Sequence, residues 1–385
     1  MLLGRFYDAI EVHRDEKIIY VKFLSPHRVI STCRVDGGLR DDLEYIYNHQ
    51  ACEPVGHSHE SHMRMSADPA GYRRDVCGRY GLPPEKSASL GTAANMNNAA
   101  IVSERFRGLE VVAVCTGGVE TNAGRAGDPA TVYECNGVFE RLGPDPVTAH
   151  GTINIMLFIS RELTPAAMVR SVMTATEAKT AALQELAVPS RYSDGLATGT
   201  GTDQIGIASR LDTGVPLTGA GKHSKLGELI GRTVLQAVKK TLSLQNKLTP
   251  EARCFARVHL ERFGITAESM CEAVCSSLPE KEAALFRRNF NSINNDPPTV
   301  AAVAALVHLR DMIRWGILPR SCVPEILPAC GAQIAAAISG KYHRLDHYRN
   351  ALSHGPLGTD RERFVGLVFS AFALGFREKW AGGGE

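Results

Sequence analysis

The sequence predicts an α/β fold, a mixed α+β sheet domain with flanking helices, followed by a mostly α-helical C-terminal appendage. Three observations carry this. Up to about residue 245, short β-branched runs alternate with two long segments of helical period. Glycine-rich polar loops join them. Beyond that point, helical apolar stretches are separated by proline-bearing turns. A chain of 385 residues also exceeds the roughly 250–300 residues at which a single core stops growing, so two regions are expected, 1–245 and 246–385.

Residues 17–33 (KIIYVKFLSPHRVISTC) alternate apolar and polar positions and break at Ser25-Pro26, which predicts two strands in a hairpin. A turn follows at Asp36-Gly37-Gly38. Residues 52–89, rich in His, Pro, Gly, Ser and charge with little periodicity, read as a long loop. Residues 110–115 (EVVAVC) form a buried strand leading into Thr116-Gly117-Gly118, and residues 152–160 (TINIMLFIS) form a second. Thr164-Pro165 then starts a helix, with Thr as N-cap and Pro at the first helical position.

On that helix Met168, Val172, Ala175, Leu183 and Leu186 recur at helical spacing until Pro189. Lys179 stands four residues from both Ala175 and Leu183, hence within the apolar stripe, whereas Glu177 points the other way. Residues 204–209 read as a strand through Ile205 and Ile207, and residues 223–242 as a second amphipathic helix through Leu226, Ile230, Val234, Val238 and Leu242. The remainder, including 300–313 and 364–380, is helical, with turns at Pro297-Pro298, Pro319, Pro324 and Pro328.

Composition excludes several function classes. Lys and Arg number 43 against 41 Asp and Glu, so the basic stripe that nucleic acid requires is not expected. The N-terminus meets charge too early for a signal peptide. The longest apolar stretches, 299–309 and 367–376, fall short of the roughly 18–20 residues of a membrane span. Ten cysteines are scattered without a C-x-x-C pair, and Cys271 and Cys275 are one helical turn apart, which favours reduced thiols in a cytoplasm.

The chemistry concentrates between residues 151 and 231. In ATGTGTD (197–203), Thr198, Thr200 and Thr202 alternate with Gly199 and Gly201. An extended backbone would put three hydroxyls on one face and leave the other bare for a bulky ligand. Asp203 follows as a base or orienter, and the glycine N–H groups could stabilise an oxyanion. A strand edge with satisfied hydroxyls is the plainer reading. Lys179 either pairs with a carboxylate or snorkels, and Glu177 reads first as a solvated helix charge.

In GAGKHS (219–224), Pro216 and His223 occupy positions where a phosphate loop needs Gly and Ser or Thr, which rejects that motif. A glycine-rich entry to a helix N-terminus remains, with Lys222, His223 and Lys225 around it and His223 as the histidine best placed to carry a proton. Thr116, Gly117, Gly118, Asn122 and Arg125 form a second polar loop after a strand, a common ligand position, and Asn154 of the GTIN block joins the candidate contacts. His57, His59 and His62, with His49 upstream, suggest metal ligation. No second ligand set follows at a recognised spacing, so a surface histidine loop is the commoner reading and no metal is assigned. His343, His347 and His354 carry still less information.

Taken together, GTINIMLFIS, TATEAKTAAL (174–183), ATGTGTD and KHSKLGELIG, preceded by TAANM (92–96) and TNAGRAGD (121–128), resemble the adenosylcobinamide amidohydrolase family over roughly residues 15–245. The resemblance implies hydrolysis of the amide between adenosylcobyric acid and its 1-amino-2-propanol arm, in corrinoid salvage. The cobalt corrinoid is then the small-molecule substrate and no cofactor is assigned.

By residue type, Asp203 or His223 would be the base for water, and Gly199 and Gly201 N–H groups with Lys225 would face the oxyanion. Glu177 or Lys179 would orient, and Thr200 or Thr202 would be the nucleophile of a covalent alternative. A histidine of the 57–62 loop would be a cobalt ligand. A corrinoid-binding protein without hydrolysis and an amidase acting on another amide are the competing classes. The helical region leaves room for homo-oligomerisation.

Overall fold

The computed structural model describes residues 1–53, 64–65, 67–136, 138–142 and 151–380. The triad His57, His59 and His62 lies outside these. The chain divides into two compact units, Met1–Thr249 and Pro250–Glu385.

Two large sheets frame the first unit. One has five strands in the order β1-β2-β3-β6-β7: β1 (Leu2–Phe6), β2 (Ile10–Asp15), β3 (Ile18–Phe23), β6 (Tyr45–Gln50) and β7 (Ser87–Thr92). The other has six in the order β5-β4-β15-β13-β9-β8: β4 (His27–Ser31), β5 (Gly38–Arg40), β8 (Ala100–Phe106), β9 (Leu109–Gly117), β13 (Ile153–Ile159) and β15 (Gln204–Arg210). Pairing is antiparallel except between β6 and β7 and between β13 and β15. Two-residue strands β10 (Ala123–Gly124) and β14 (Gly199–Thr200) pair with each other, as do β11 (Val132–Cys135) and β12 (Val138–Arg141).

The central strands explain why their sequences read as unbroken apolar runs. Side chains alternate between faces, and in β9, β13 and β15 both faces are covered. Val112, Val114, Met156, Phe158 and Ala208 face the five-stranded sheet and meet Ile10, Val12, Ile46 and Leu90 there. Val111, Ala113, Ile155, Leu157 and Ile207 face α2 (Pro165–Glu185) and α3 (Lys225–Asn246), through Met168, Leu183, Ile230, Val234 and Val238. Helix α1 (Pro69–Tyr80) covers the outer side of the five-stranded sheet through Tyr72, Val76 and Cys77 against Ile18 and Tyr47. The unit is therefore a four-layer α/β/β/α sandwich. Gly206 belongs to the tight middle layer, because a Cβ there would lie 2.3 Å from Ile46 Cδ1.

Three expectations change. The 17–33 segment supplies two strands, but β3 and β4 belong to different sheets, so Ser25-Pro26 is a crossing between layers rather than a hairpin turn. The 52–89 segment contains α1, with Asp68 accepting from the Gly71 N–H, Pro69 at its first turn and Gly81 closing it at φ 66°. Pro324 and Pro328 lie within a helix of the second unit.

That unit is helical: α4 (Pro250–Arg253), α5 (Ala256–Leu260), α6 (Ala267–Cys275), α7 (Glu280–Asn294), α8 (Pro297–Arg314), α9 (Val323–Ser339), α10 (Leu345–Ser353) and α11 (Arg361–Trp380). Phe263, Phe286, Phe364 and Phe372 form its core. Arg310 is buried there with its guanidinium 4.5 Å from the Phe263 ring centre. The segment Arg320–Ser339 is long and apolar enough to cross a membrane by length and composition, and α9 packs Leu327, Ile334 and Ile338 into this core.

Two buried histidines make the first unit sensitive to acid. His27 Nδ1 bonds the Ser25 carbonyl at 2.7 Å, an acceptor only, so its Nε2 accepts from the Tyr7 hydroxyl at 3.1 Å. Burial lowers its pKa to about 4. Burial does the same for His49, with the charges of Arg79 and Lys17 adding to the shift, again to about 4. An unfolded chain protonates these rings near 6.5, whereas the fold resists until about 4, so stability present above 6.5 is lost as pH falls through that window. Each ring contributes roughly 2–4 kcal/mol at full development. Thermal melts should show a falling midpoint between pH 6.5 and 4, flattened by His27→Gln with His49→Gln. An unchanged slope in that double variant would contradict the assignment.

Candidate active site

Strands β13 and β15 are parallel and in register, Asn154 opposite Gln204. Their starting ends therefore lie side by side, and the residues before each, Thr152 and Asp203, are brought together although 51 positions apart in sequence. The Asp203 carboxylate is fixed from several directions. Its Oδ1 accepts from the Ile153 N–H at 2.8 Å and the Thr200 hydroxyl at 2.6 Å, and its Oδ2 accepts from the Thr200 N–H at 3.0 Å. Lys179 of α2 donates to Oδ2 from behind. Both side chains of this ion pair are mostly buried, 11% and 14% exposed. Gly199 makes room for it, because a Cβ there would lie 2.5 Å from Asp203 Oδ2 and 2.8 Å from Lys179 Nζ.

The three threonines do not share one open face. Thr198 accepts from the Ala126 N–H at 2.9 Å, Thr200 serves Asp203, and Thr202 donates to the Gly151 carbonyl at 2.9 Å. The chain leaves extended geometry after Thr200, which ends the alternation. Since the Thr202 proton goes to that carbonyl, Thr152 donates in the 2.6 Å Thr152–Thr202 hydroxyl pair. Gly201 lies in the turn with open space beside it.

Asp203, Thr202, Thr152 and Asn122 line one cavity of about 380 Å³, whose other walls include Tyr72 and Thr92. Asn122 is buried and its Oδ1 has no partner among the described residues. Gly151 admits it, since a Cβ there would meet Asn122 Oδ1 at 2.7 Å. On the α1 side, the Tyr72 hydroxyl lies 2.5 Å from His49 Nδ1, and burial raises the Tyr72 pKa. Burial also pushes the nearby Cys52 thiol up.

Neighbouring loops brace this edge. Antiparallel β10 and β14 join the TNAGRAGD and ATGTGTD blocks, Ala123 opposite Thr200. Burial works to raise the Asp128 carboxyl, but hydrogen bonds from Ser190, Ser193 and the Arg125 N–H outweigh it and hold the group below its usual range. Arg125 itself reaches the Leu196 carbonyl at 3.4 Å and does not line the cavity. Asn154 donates to Asn48 Oδ1 and the Gly91 carbonyl, each at 2.9 Å, while Asn48 donates to Thr116 at 2.7 Å. Thr116 and Asn154 thus belong to a buried polar chain beneath the cavity. Gly117 packs against α3, with Leu242 and Thr241 about where its side chain would be, and Gly118 donates to the Thr152 carbonyl at 3.1 Å.

The remaining candidates stand elsewhere. Glu177 pairs with Lys222 at 2.7 Å on the surface, and Lys225 pairs with Glu228 at 2.5 Å and caps the Phe106 ring. His223 is exposed on the turn before α3, which follows the far end of β15. The GAGKHSKLG block is explained by packing. Ser224 caps α3 through the Gly227 N–H, Thr174 donates to the Ala220 carbonyl at 2.8 Å, and a Cβ at Gly227 would lie 2.1 Å from the Gly221 carbonyl oxygen.

Sequence alone does not single out Thr152, Tyr72 and Gln204 as site residues. Gln204 accepts from the Gly91 N–H at 2.8 Å and lines the cavity. Thr152 had one available signal, its place beside Asn154 at the start of a strand.

A model of the family described as adenosylcobinamide amidohydrolase matches residues 4–250. An uncharacterized protein of Methanocaldococcus jannaschii is 34% identical over 239 residues, which make up 61% of this chain and 89% of that protein.

Proposed function

The chain belongs to the adenosylcobinamide amidohydrolase family, and on that premise we propose that it hydrolyses the amide of adenosylcobinamide to adenosylcobyric acid and 1-amino-2-propanol. The observation that carries the reading is the cavity wall formed by Asp203, Thr152, Thr202 and Asn122. Asp203 is the one carboxylate among the described lining residues. A cavity of about 380 Å³ stands at the low end of the roughly 300–1,000 Å³ of small-molecule pockets. It suits the amide and its aminopropanol arm, with the macrocycle outside.

In this mechanism water sits between Asp203 and the Thr152 hydroxyl, whose lone pairs are left for a new donor. Asp203 takes a proton as the water oxygen attacks the amide carbon, and returns it to the nitrogen as the carbon–nitrogen bond breaks. Lys179 is the positioning residue that holds the carboxylate and balances its charge through the cycle. Asn122 offers its unpartnered Oδ1 to the N–H or hydroxyl of the arm. His223, Glu177 and Lys225 have no role in this scheme, because their surroundings are the surface pairs and turn described above.

Incubation with adenosylcobinamide should release free 1-amino-2-propanol in step with adenosylcobyric acid. Tight binding with no release would establish the corrinoid-binding alternative instead. The 2.6 Å bond from Thr200 to Asp203 would equally serve a threonine nucleophile, and a trapped threonine-linked acyl intermediate would replace the water-attack scheme.

A further inference from the structure

At the edge of the sandwich remote from Asp203 a second cavity, of about 520 Å³, opens among Arg5, Arg105, Arg107, Arg161, Arg210 and Glu110. Its position follows from the topology. Arg105 lies near the end of β8 and Arg107 in the turn that leads to β9, Arg161 comes just after β13, and Arg210 ends β15. The β1–β2 turn closes it from the five-stranded sheet with Tyr7 and Asp8. Five guanidinium groups thus face two carboxylates, Asp8 and Glu110, in a chain whose formal net charge is only +2.

Few of these charges are neutralised. Arg5 pairs with Glu11, and Arg105 Nε lies 3.0 Å from Glu110 Oε2. Arg107 stacks on Phe106, its guanidinium 5.2 Å from the ring centre, and Arg210 donates to the Tyr7 carbonyl at 3.4 Å. Among the described residues Arg107, Arg161 and Arg210 have no carboxylate partner. Among the described residues, Arg161 Nε and Glu110 Oε1 are moreover buried without a hydrogen-bond partner, and the Glu110 side chain is only 7% exposed. Orphaned buried groups of this kind cost free energy unless something binds them.

We infer that this cavity is a second ligand site, for a phosphate monoester or diphosphate carried on a hydroxylated or amino-bearing small molecule. Guanidinium forks match phosphate oxygens two at a time. The excess of guanidinium over carboxylate calls for a ligand of two or three negative charges, which a phosphate monoester or diphosphate supplies and a single carboxylate does not. Glu110 Oε1 accepts only, so it selects a ligand that also presents an O–H or N–H near the phosphate. The site is separate from the hydrolytic cavity. The strands β13 and β15 run from one to the other, so each cavity uses an opposite end of the same pair.

Isothermal titration of the full chain at low ionic strength with ribose 5-phosphate, pyrophosphate and citrate tests this. Both phosphates should bind, citrate at least about tenfold more weakly, because its carboxylates lack the three-oxygen geometry. Arg161→Met with Arg210→Met should weaken phosphate binding at least about tenfold. Should that variant fail to fold by circular dichroism, Arg161→Lys with Arg210→Lys keeps the charge but loses the forks, and should still lower affinity severalfold. No binding of either phosphate, citrate binding as tightly, or full affinity in the folded variants would each overturn the assignment.

Discussion

Asp203→Asn is expected to lower the turnover of adenosylcobinamide by about 10²–10⁴-fold, the usual contribution of a positioned general base. The substitution keeps the shape of the side chain and the oxygen that accepts from Ile153 and Thr200, but it turns the oxygen facing Lys179 and the Thr200 N–H into a donor, so a loss of stability accompanies it and the melt must show that the variant is folded at the assay temperature. It removes the group that takes the water proton in the proposed scheme. The loss should fall mainly in kcat, with KM little changed, since the proposed reading leaves the macrocycle outside the cavity. Steady-state kinetics with a thermal melt of the same sample checks both halves. A variant that retains wild-type turnover while folding normally would remove Asp203 from the chemistry.

The second large effect concerns stability. Lys179→Met leaves the Asp203 carboxylate mostly buried without its counter-ion, and breaking such a pair from one side costs about 3–5 kcal/mol. Methionine fills the same stem volume among Ala175, Ala178 and Leu183, so little of this loss is packing. Adding Asp203→Asn removes the stranded charge, and denaturant melts of the double variant should recover most of the stability while hydrolysis stays lost. If the double variant is no more stable than Lys179→Met alone, the cost lies in α2 packing rather than in charge.

The contrast between what was readable and what was not follows the range of the interactions. Helix α2 is specified within its own segment, by the Thr164 cap that accepts from the Ala167 N–H and by Pro165 behind it. The placement of Lys179 in the apolar stripe follows from the same local periodicity, and its burial agrees. Its meeting with Asp203 does not, because that depends on the parallel pairing of β13 with β15. Likewise β3 and β4 were recognisable as strands, but sheet membership is a matter of partners far along the chain.

Helix α1 is hard to read from sequence because it has little apolar stripe, although Asp68, Pro69 and Gly81 at its ends are ordinary punctuation. The GAGKHSKLG block misled for a different reason. Glycine beside charge reads as a ligand loop, yet Gly227 is small so that a turn carbonyl can approach the helix, and no local pattern tells at which edge of the sheet that turn falls.

The crossing at Ser25-Pro26 also bears on how the protein is made. Strand β4 emerges from the ribosome long before its central partner β15, with Ile30 opposite Ile207. Until synthesis has passed Arg210, the side of β4 that will receive β15 is an exposed row of backbone donors and acceptors, and only the short β5 can shield its other side. Pairings this distant are slow to form, because the intervening chain must be ordered first. The nascent chain therefore carries an adhesive edge until β15 has been made, with His27 to Ser31 the segment from which misassembly would start.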